Sequence, residues 1–325
     1  MQFNLSAPSK TFLVGEYLAL EGGPSLVAAT GPRFGLSILE VESPEKVKVE
    51  GISPLSPAGK WIRDHQADFS RHSFEFCDPH NGKGGFGAST AQFLFVFAWS
   101  KFLECKKIDF ESLDKIQEIW SSYREYGTLS DTPKPSGADL IAQLVGGISS
   151  LEWHNDEITE LKTYCWDFEE QSFSLFRTGT KVRTHEHLRD LKAGLKPELK
   201  EALLKSSLKA KKALYESDAF NFLIALQEYY KTLNQNQLVA PHTQVLVDNF
   251  YQSESVLGVK GCGALGADVL FVLSELEKAN NVKALAGVVG LELVSTSEDM
   301  SSGLELSMSM SAKKNIDFKS ISAEV

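Results

Sequence analysis

Residues 81–90 read Asn81-Gly82-Lys83-Gly84-Gly85-Phe86-Gly87-Ala88-Ser89-Thr90, and they lie between a short predicted strand, Phe74–Phe76, and a strongly apolar predicted helix, about Ser89–Cys105. Glycines allow a backbone to approach a ligand closely. The first turn of a helix offers open N–H groups and the positive end of the helix dipole. Together these features predict a phosphate site, to which Ser89 and Thr90 add hydroxyls and Lys83 adds a positive charge.

The glycine loop matches neither of two familiar phosphate-binding patterns. No Gly-Lys-Ser/Thr closes it, as a Walker A loop requires, and its glycine spacing is not that of the dinucleotide fingerprint. Taken alone, the loop is equally well interpreted as a flexible turn that Ser89 caps.

Three further segments carry residues that suit phosphate chemistry. The first contains Pro8-Ser9-Lys10, in which the lysine either lies over a ligand or is an ordinary surface lysine. In the second, Ser136-Gly137-Ala138-Asp139, the aspartate either caps the predicted helix Leu140–Leu144 or faces a site. The third, residues 258–268, is a predicted loop with four glycines before a buried predicted strand, which is costly unless the backbone must pass close to something.

The composition is that of an ordinary globular protein and excludes several functions. The chain has 325 residues, enough for two domains, and its 33 basic and 43 acidic residues give a net charge of −10. Such an acidic chain is a poor general partner for nucleic acid or for an anionic membrane. We expect a cytoplasmic protein, because the N-terminus does not resemble a signal peptide and the four cysteines are scattered without a CxxC pair.

Strands and helices are mixed in both halves of the sequence. Residues 1–50 have β character with a half-buried strand at 33–40, and strands are predicted again at 148–153, 161–166, 172–177, 268–273 and 304–310. Helices are predicted at about 61–69, 113–126, 197–215, 218–233 and 242–253. This mixture predicts the α+β class with a domain boundary near residue 168.

Three segments, in this order and at this spacing, resemble the motifs of the GHMP kinases: Pro8-Ser9-Lys10, Gly85–Ser89 and Lys260–Ala267. That family contains galactokinase, homoserine kinase, mevalonate kinase and phosphomevalonate kinase. The resemblance extends from Ala7 to about Leu273. It implies a two-domain fold, with an ATP-binding α+β domain over residues 1–168 and a ferredoxin-like α+β domain over residues 169–325.

The resemblance also implies roles for particular residues. Lys10 would lie near the transferred phosphoryl group, and Asp139 would act as the base. The ATP phosphates would be held by Lys83, Gly85, Phe86, Gly87, Ala88, Ser89 and Thr90. Mg²⁺ would bind Ser89 and Glu125, the nearest glutamate candidate on the preceding helix. The substrate would contact Glu16, Tyr17, Ser136, Gly137, Arg177, Lys181, Arg183, Gly263 and Ala264.

Three residues depart from the family pattern. Ala88 removes one hydroxyl from the glycine loop, Cys262 replaces a hydroxyl residue, and Leu265 replaces a glycine in the third motif. These departures concern the ligand contacts rather than the fold.

Within the family, the segment Gly15-Glu16-Tyr17 is similar to the phosphomevalonate kinase branch, and so are Lys83 and the segment Gly266–Asp268. The resemblance therefore implies phosphoryl transfer from ATP to 5-phosphomevalonate, with ATP and Mg²⁺ as cofactors. It leaves a homodimer open. The alternatives are a mevalonate kinase or another kinase of an alcohol, and a non-catalytic nucleotide-binding protein on the same fold.

Overall fold

Residues 2–129, 132–180, 194–309 and 315–316 are described by the computed structural model of the chain. They form a large mixed sheet and a smaller antiparallel sheet, each covered by helices, in the predicted α+β class. Two of the predicted substrate contacts, Lys181 and Arg183, lie outside the described residues.

The large sheet is built around a long antiparallel pair of strands, β1 and β2. Its strands are β1 (Gln2–Val14), β2 (Ser25–Glu40), β3 (Val49–Glu50), β4 (His72–Cys77), β5 (Ile148–His154), β6 (Glu157–Tyr164), β11 (Glu305–Ser309) and β12 (Asn315–Ile316). The β1–β2 register shifts between Ala7 and Ser9, immediately before Lys10. Because such an irregularity changes the direction of the following side chains, it contributes to the position of Lys10.

The helix that follows the glycine loop is the centre of the first core. The helices of this half are α1 (Pro57–Asp64), α2 (Gln66–Phe69), α3 (Ala88–Cys105), α4 (Leu113–Gly127) and α5 (Ala138–Val145). Every residue from Phe93 to Ser100 in α3 is buried, because β1 and β2 cover one side of the helix and α1, α4 and α5 cover the other. Neither α3 nor any other helix in the described ranges is long and apolar enough to cross a membrane.

The smaller sheet has the topology of a ferredoxin-like unit. Its strands are β7 (Gln171–Arg177), β8 (Gly258–Cys262), β9 (Val269–Glu275) and β10 (Glu292–Thr296). Its helices are α6 (Pro197–Tyr215), α7 (Ala219–Gln235), α8 (Pro241–Phe250) and α9 (Ala279–Val288). The strand order β10-β7-β9-β8, all antiparallel, is that of a βαββαβ unit. The predicted ferredoxin-like fold of the second half is therefore confirmed.

After β10 the chain returns to the large sheet. β11 pairs antiparallel with the start of β1, with Leu306 opposite Leu5. The predicted second domain, residues 169–325, therefore includes a strand of the first sheet, which corrects its C-terminal boundary. The alternating apolar residues of 304–310 predict a strand, but alternation alone does not identify the partner strand.

Other elements of the second half also differ from the prediction. Residues 258–262, predicted as part of a loop, form β8, and neither α9 nor β10 was predicted. The glycines of β8 serve close packing: a Cβ on Gly261 would lie 2.1 Å from Gly266 O, and one on Gly258 would lie 2.8 Å from the Leu223 side chain. A glycine-rich composition therefore indicated a loop where the backbone is an extended strand.

Two phenylalanines allow a test of the α3 core. Phe95 is 0% exposed, whereas Phe220, near the start of α7, is 68% exposed. Replacing Phe95 by Ala leaves a cavity, so we expect the free energy of unfolding to fall by about 3–5 kcal/mol. The matched Phe220→Ala change should alter it by less than about 0.5 kcal/mol. Urea denaturation measures both values, and equal losses in the two variants would contradict the central position of α3.

Candidate active site

The glycine loop ends at a helix N-terminus with open N–H groups. Gly85 and Gly87 have φ values of +88° and +97°, which favour glycine. The first main-chain hydrogen bond of α3 is donated by Ala91 to Gly87 O at 2.9 Å. In the part of the chain that the structure describes, the N–H groups of residues 88–90 therefore have no main-chain partner. Ser89 is exposed beside them, so this helix start is suited to an anion.

A hydrogen-bonded turn shapes the loop before its glycines. Asp78 accepts hydrogen bonds from the N–H groups of His80 and Gly82, both at 2.8 Å. The His80 ring is 3% exposed and stacks on Phe86, with ring centroids 4.4 Å apart. The Phe86 side chain is therefore packed inside the protein, where it supports the loop.

His80 links this loop to β1 and β7. Arg177 donates from Nη2 to His80 Nδ1 at 3.1 Å, which leaves the ring hydrogen on Nε2. His80 Nε2 in turn lies 2.7 Å from Ser9 Oγ, and this hydroxyl donates to Pro32 O at 2.6 Å. Burial and the charge of Arg177 lower the pKa of His80 to about 4, which keeps the ring neutral. No sequence motif marks His80, and the prediction missed it.

Lys10 is held beside the glycine loop by its own backbone. Its N–H donates to Phe86 O at 3.0 Å. Its Cγ is close to Gly87, since a Cβ added to Gly87 would lie 2.9 Å from Lys10 Cγ. Among the described residues, Lys10 Nζ has no hydrogen-bond or ion-pair partner, although it lies 5.3 Å from the Phe12 ring centroid. The amino group is therefore free to contact an anion at the start of α3.

A buried amide joins β1, the glycine loop and α5. Gln143 Nε2 donates to Pro8 O at 2.8 Å and to Gly87 O at 3.2 Å, and its Oε1 accepts from Thr90 Oγ at 2.5 Å. Thr90 is 1% exposed, so its hydroxyl serves the protein interior rather than the predicted phosphate contact. Gln143 was missed by the prediction, although a lone polar residue one helical turn after Asp139 is a signal that the sequence carries.

Asp139 lies one turn before Gln143 on the same face of α5. Because Gln143 contacts the glycine loop, this face directs the Asp139 carboxylate toward the same region as Lys10. No ion pair joins Lys10 and Asp139 in the structure. Burial and the charge of Asp139 raise the pKa of the Tyr123 hydroxyl on α4, which places that hydroxyl near the carboxylate.

Ser136 and Gly137 form the turn at which α5 begins. Gly137 has a φ of +75°, and a Cβ there would lie 2.6 Å from the Trp120 ring. Ser136 O accepts from Trp120 Nε1 at 2.8 Å, and Ser136 Oγ accepts from the N–H of Ala138 at 3.3 Å. The structure therefore gives these two predicted substrate contacts a role within the protein, which is to orient the start of α5.

The third motif approaches the glycine loop at Asp268. A Cβ on Gly85 would lie 3.0 Å from Asp268 Cβ, and one on Gly263 would lie 2.8 Å from Asp268 Oδ2. Two predicted site glycines thus flank one carboxylate that the prediction did not include. Ala264 begins the short 3-10 turn that follows. Leu265 has a φ of +53°, a strained conformation for a residue that stands where the family pattern has glycine.

Glu16 and Tyr17, both predicted to contact the substrate, are packed inside the protein. Glu16 Oε1 lies 3.2 Å from Lys260 Nζ, and the two side chains are 8% and 0% exposed. Lys260 Nζ also donates to Cys262 Sγ at 3.5 Å, and burial raises the pKa of this thiol. Burial and the charge of Glu16 raise the pKa of Tyr17. The segment Gly15-Glu16-Tyr17 and the third motif are therefore joined by a buried ion pair.

Lys83 and Arg177 line a cavity of about 380 Å³ together with Thr178, Asp268 and Glu292. Glu292 Oε2 lies 2.9 Å from Lys83 Nζ and 3.2 Å from Arg177 Nε. The hydrogen bond from Lys83 lowers the pKa of Glu292. The structure thus brings two predicted phosphate-binding cations together and adds a carboxylate that the prediction did not include.

Comparisons with known proteins show which fold the chain is similar to. No family model matches the chain, and no curated protein matches it. Streptococcus pneumoniae phosphomevalonate kinase, solved with phosphomevalonate and AMPPNP, has a TM-score of 0.71 at 13% identity and covers 90% of this chain and 98% of its own. Methanococcus jannaschii mevalonate kinase gives 0.69 at 15% identity, with 92% and 98% covered. Lactococcus lactis galactokinase with galactose gives 0.68 at 14%, with 94% and 95% covered.

The chain has the GHMP kinase fold. The family resemblance that the sequence predicts is therefore confirmed at the level of the fold. In this GHMP kinase fold the glycine loop, Lys10, Gln143 of α5 and Asp268 of the third motif come together from distant parts of the chain.

The site fits a metal ion that arrives with a nucleotide. Among the described residues, no group of three His, Cys, Asp or Glu side chains could hold a metal by itself. Mg²⁺ usually binds through one or two carboxylates together with ligand phosphates, so Ser89 at the start of α3 and Asp139 on α5 are the residues that would hold it. Glu125 is exposed and lies two residues after Tyr123, hence on the opposite side of α4 from Asp139. We therefore omit Glu125 from the proposed metal site.

The buried His80 ring predicts a pH dependence of stability. Its pKa falls from 6.5 to about 4 on folding. Between these values the unfolded chain binds a proton that the folded chain does not, so the free energy of unfolding should fall as the pH decreases through this window. His80→Gln should reduce the slope. Guanidinium denaturation across the window measures it, and an identical slope in the variant would contradict a neutral buried ring.

Proposed function

We propose that this chain is an ATP-dependent phosphotransferase that acts on a small molecule. The proposal is supported by the position of Lys10 and of the open N–H groups of residues 88–90 on one loop, where the Gln143 amide and the hydrogen bond from Lys10 to Phe86 hold them. Asp139 lies one helical turn before Gln143 on α5. Phosphoryl transfer depends mainly on positioning and electrostatic stabilisation, which is what this arrangement supplies.

Each group has a role that follows from its position. The N–H groups at the start of α3 and the Ser89 hydroxyl bind the ATP phosphates. Lys10 stabilises negative charge on the transferred phosphoryl group. Asp139 accepts or orients the acceptor proton. Ser89 and Asp139 would hold Mg²⁺, which would supply positive charge to the phosphate oxygens.

We propose 5-phosphomevalonate as the acceptor. The proposal is supported by the segment Gly15-Glu16-Tyr17, by the paired cations Lys83 and Arg177, and by the likeness to a phosphomevalonate kinase that was solved with phosphomevalonate. The oxygen of a phosphate monoester is already ionised near neutral pH. Asp139 would then mainly position Lys10, because a strong base is not required.

Two alternatives remain distinct in their chemistry. With mevalonate or another alcohol as acceptor, Asp139 would have to act as a true base. A non-catalytic nucleotide-binding protein is favoured by the strained Leu265, since a side chain stands there in place of the family glycine, and by Ala88 and Cys262. Binding of ATP without transfer to any acceptor would support this second alternative.

Lys10→Met tests the proposed catalytic role. Because Lys10 would stabilise charge that develops in the transition state, we expect kcat to fall by about 10²–10³-fold. Lys48→Met, at an exposed lysine, is the matched control and should leave kcat unchanged. Steady-state release of ADP measures both variants. A fall of less than about tenfold for Lys10→Met would contradict the role.

The choice of acceptor is tested by ADP release from the purified chain with ATP and Mg²⁺, with 5-phosphomevalonate compared against mevalonate. We expect turnover with the phosphorylated acceptor only, since Lys83 and Arg177 supply two cations for its phosphate. Turnover with mevalonate only would show that Gly15-Glu16-Tyr17 does not identify the branch. Release of ADP with neither acceptor would exclude both assignments.

A further inference from the structure

One carboxylate oxygen occupies the position between the two cations of the Lys83–Arg177 cavity. Glu292 Oε2 accepts from Lys83 Nζ at 2.9 Å and from Arg177 Nε at 3.2 Å. Lys83 and Arg177 are charge-assisted donors of the kind that bind phosphate oxygens. The protein's own carboxylate therefore uses two hydrogen-bond donors that an anionic ligand in this cavity would require, while the buried Arg177 Nη1 has no hydrogen-bond partner among the described residues.

Ordinary sheet pairing explains only part of this contact. Glu292 stands directly opposite Arg177 in the β10–β7 register, so a cross-strand ion pair is expected there. The second bond runs to Lys83 in the glycine loop, 209 residues earlier in the chain. Glu292 thus bridges the second sheet to the loop at the proposed phosphate site.

The two cations differ in how firmly they are held. Arg177 is 9% exposed, donates to His80 and lies over the Phe86 ring at 5.1 Å. The Lys83 and Glu292 side chains are each 52% exposed, and β10 is an edge strand. Ion pairs this exposed contribute little to stability, about 0–1 kcal/mol. Arg177 is therefore a fixed donor, whereas Glu292 can be displaced at small cost.

The charge in the cavity changes when Glu292 leaves. With Glu292 in place, the Lys83 and Arg177 cations face two carboxylates, those of Glu292 and Asp268. With Glu292 turned toward solvent, two cations face the Asp268 carboxylate alone. The net charge of the cavity is therefore close to zero while Glu292 pairs with Lys83 and Arg177, and positive when Glu292 is displaced.

We propose that this cavity binds a phosphoryl group and that Glu292 is a built-in competitor that the ligand displaces. The phosphoryl group belongs either to the nucleotide or to a phosphorylated acceptor, and the two sources share the same chemistry. The inference rests on the proposed function only in naming these two sources, because anion binding can be measured without turnover. Anions that bind too weakly to displace Glu292 would then not occupy the cavity.

The test compares the binding of inorganic phosphate to the wild-type chain, Glu292→Gln and Glu298→Gln by isothermal titration calorimetry. Glu298 is an exposed acid just after β10 and has no ion-pair partner among the described residues, so it controls for the change in net charge. We expect Glu292→Gln to bind phosphate about fivefold more tightly, because the variant lacks the exposed carboxylate that competes for Lys83 and Arg177. Lys83→Gln should weaken binding by a similar factor. Thermal unfolding checks that each variant is folded.

The outcomes separate the proposal from its rivals. Unchanged or weaker phosphate binding in Glu292→Gln would overturn it, and so would equal tightening in Glu298→Gln, which would indicate a general charge effect. Repeating the titration with ADP and with 5-phosphomevalonate shows which source is used, since only that ligand should tighten in Glu292→Gln. Tighter phosphate binding in a chain that releases no ADP with any acceptor would support the anion site while rejecting the proposed function.

Discussion

The buried side-chain amide of Gln143 is the contact on which the candidate site depends. The residue is 0% exposed, so its polar atoms must find partners inside the protein. Pro8, Gly87 and Thr90 provide them. A buried polar group left without a partner costs about 1–3 kcal/mol, so β1, the glycine loop and α5 are held in one arrangement. The spacing between Lys10 and the start of α3 is therefore fixed before any ligand binds, which is the condition for electrostatic preorganisation.

A second constraint acts between the two halves. The ion pair of Glu16 and Lys260 is buried, and breaking such a pair by removing one partner typically costs about 3–5 kcal/mol. The end of β1 and the middle of β8 are therefore fixed relative to one another. The same ion pair keeps the Glu16 carboxylate buried, whereas a contact with the substrate would need an exposed carboxylate. The surroundings of Glu16 therefore do not match its predicted role as a substrate contact.

The sequence predicted those features that depend on local backbone chemistry. It did not predict residues whose position depends on contacts between distant parts of the chain. The positive φ values of Gly85 and Gly87 and the helix start at residues 88–90 follow from residue types alone. Glu292 could not be found, because its partner Lys83 lies 209 residues away. His80 belongs to no motif, since only the fold brings it between Ser9 and Arg177. The catalytic roles of Lys10 and Asp139 stay predictions.

The return of β11 to β1 makes the ferredoxin-like half an insertion within the first half. The chain leaves the large sheet after β6, enters the small one at β7, and crosses back between β10 and β11. The returning segment is anchored by the bridges Thr30↔Met300 and Gly146↔Ser302. Two covalent tethers, together with the buried Glu16–Lys260 ion pair, oppose movement of the inserted half relative to the large sheet. A single backbone cut in either tether would leave the two halves covalently joined through the other tether.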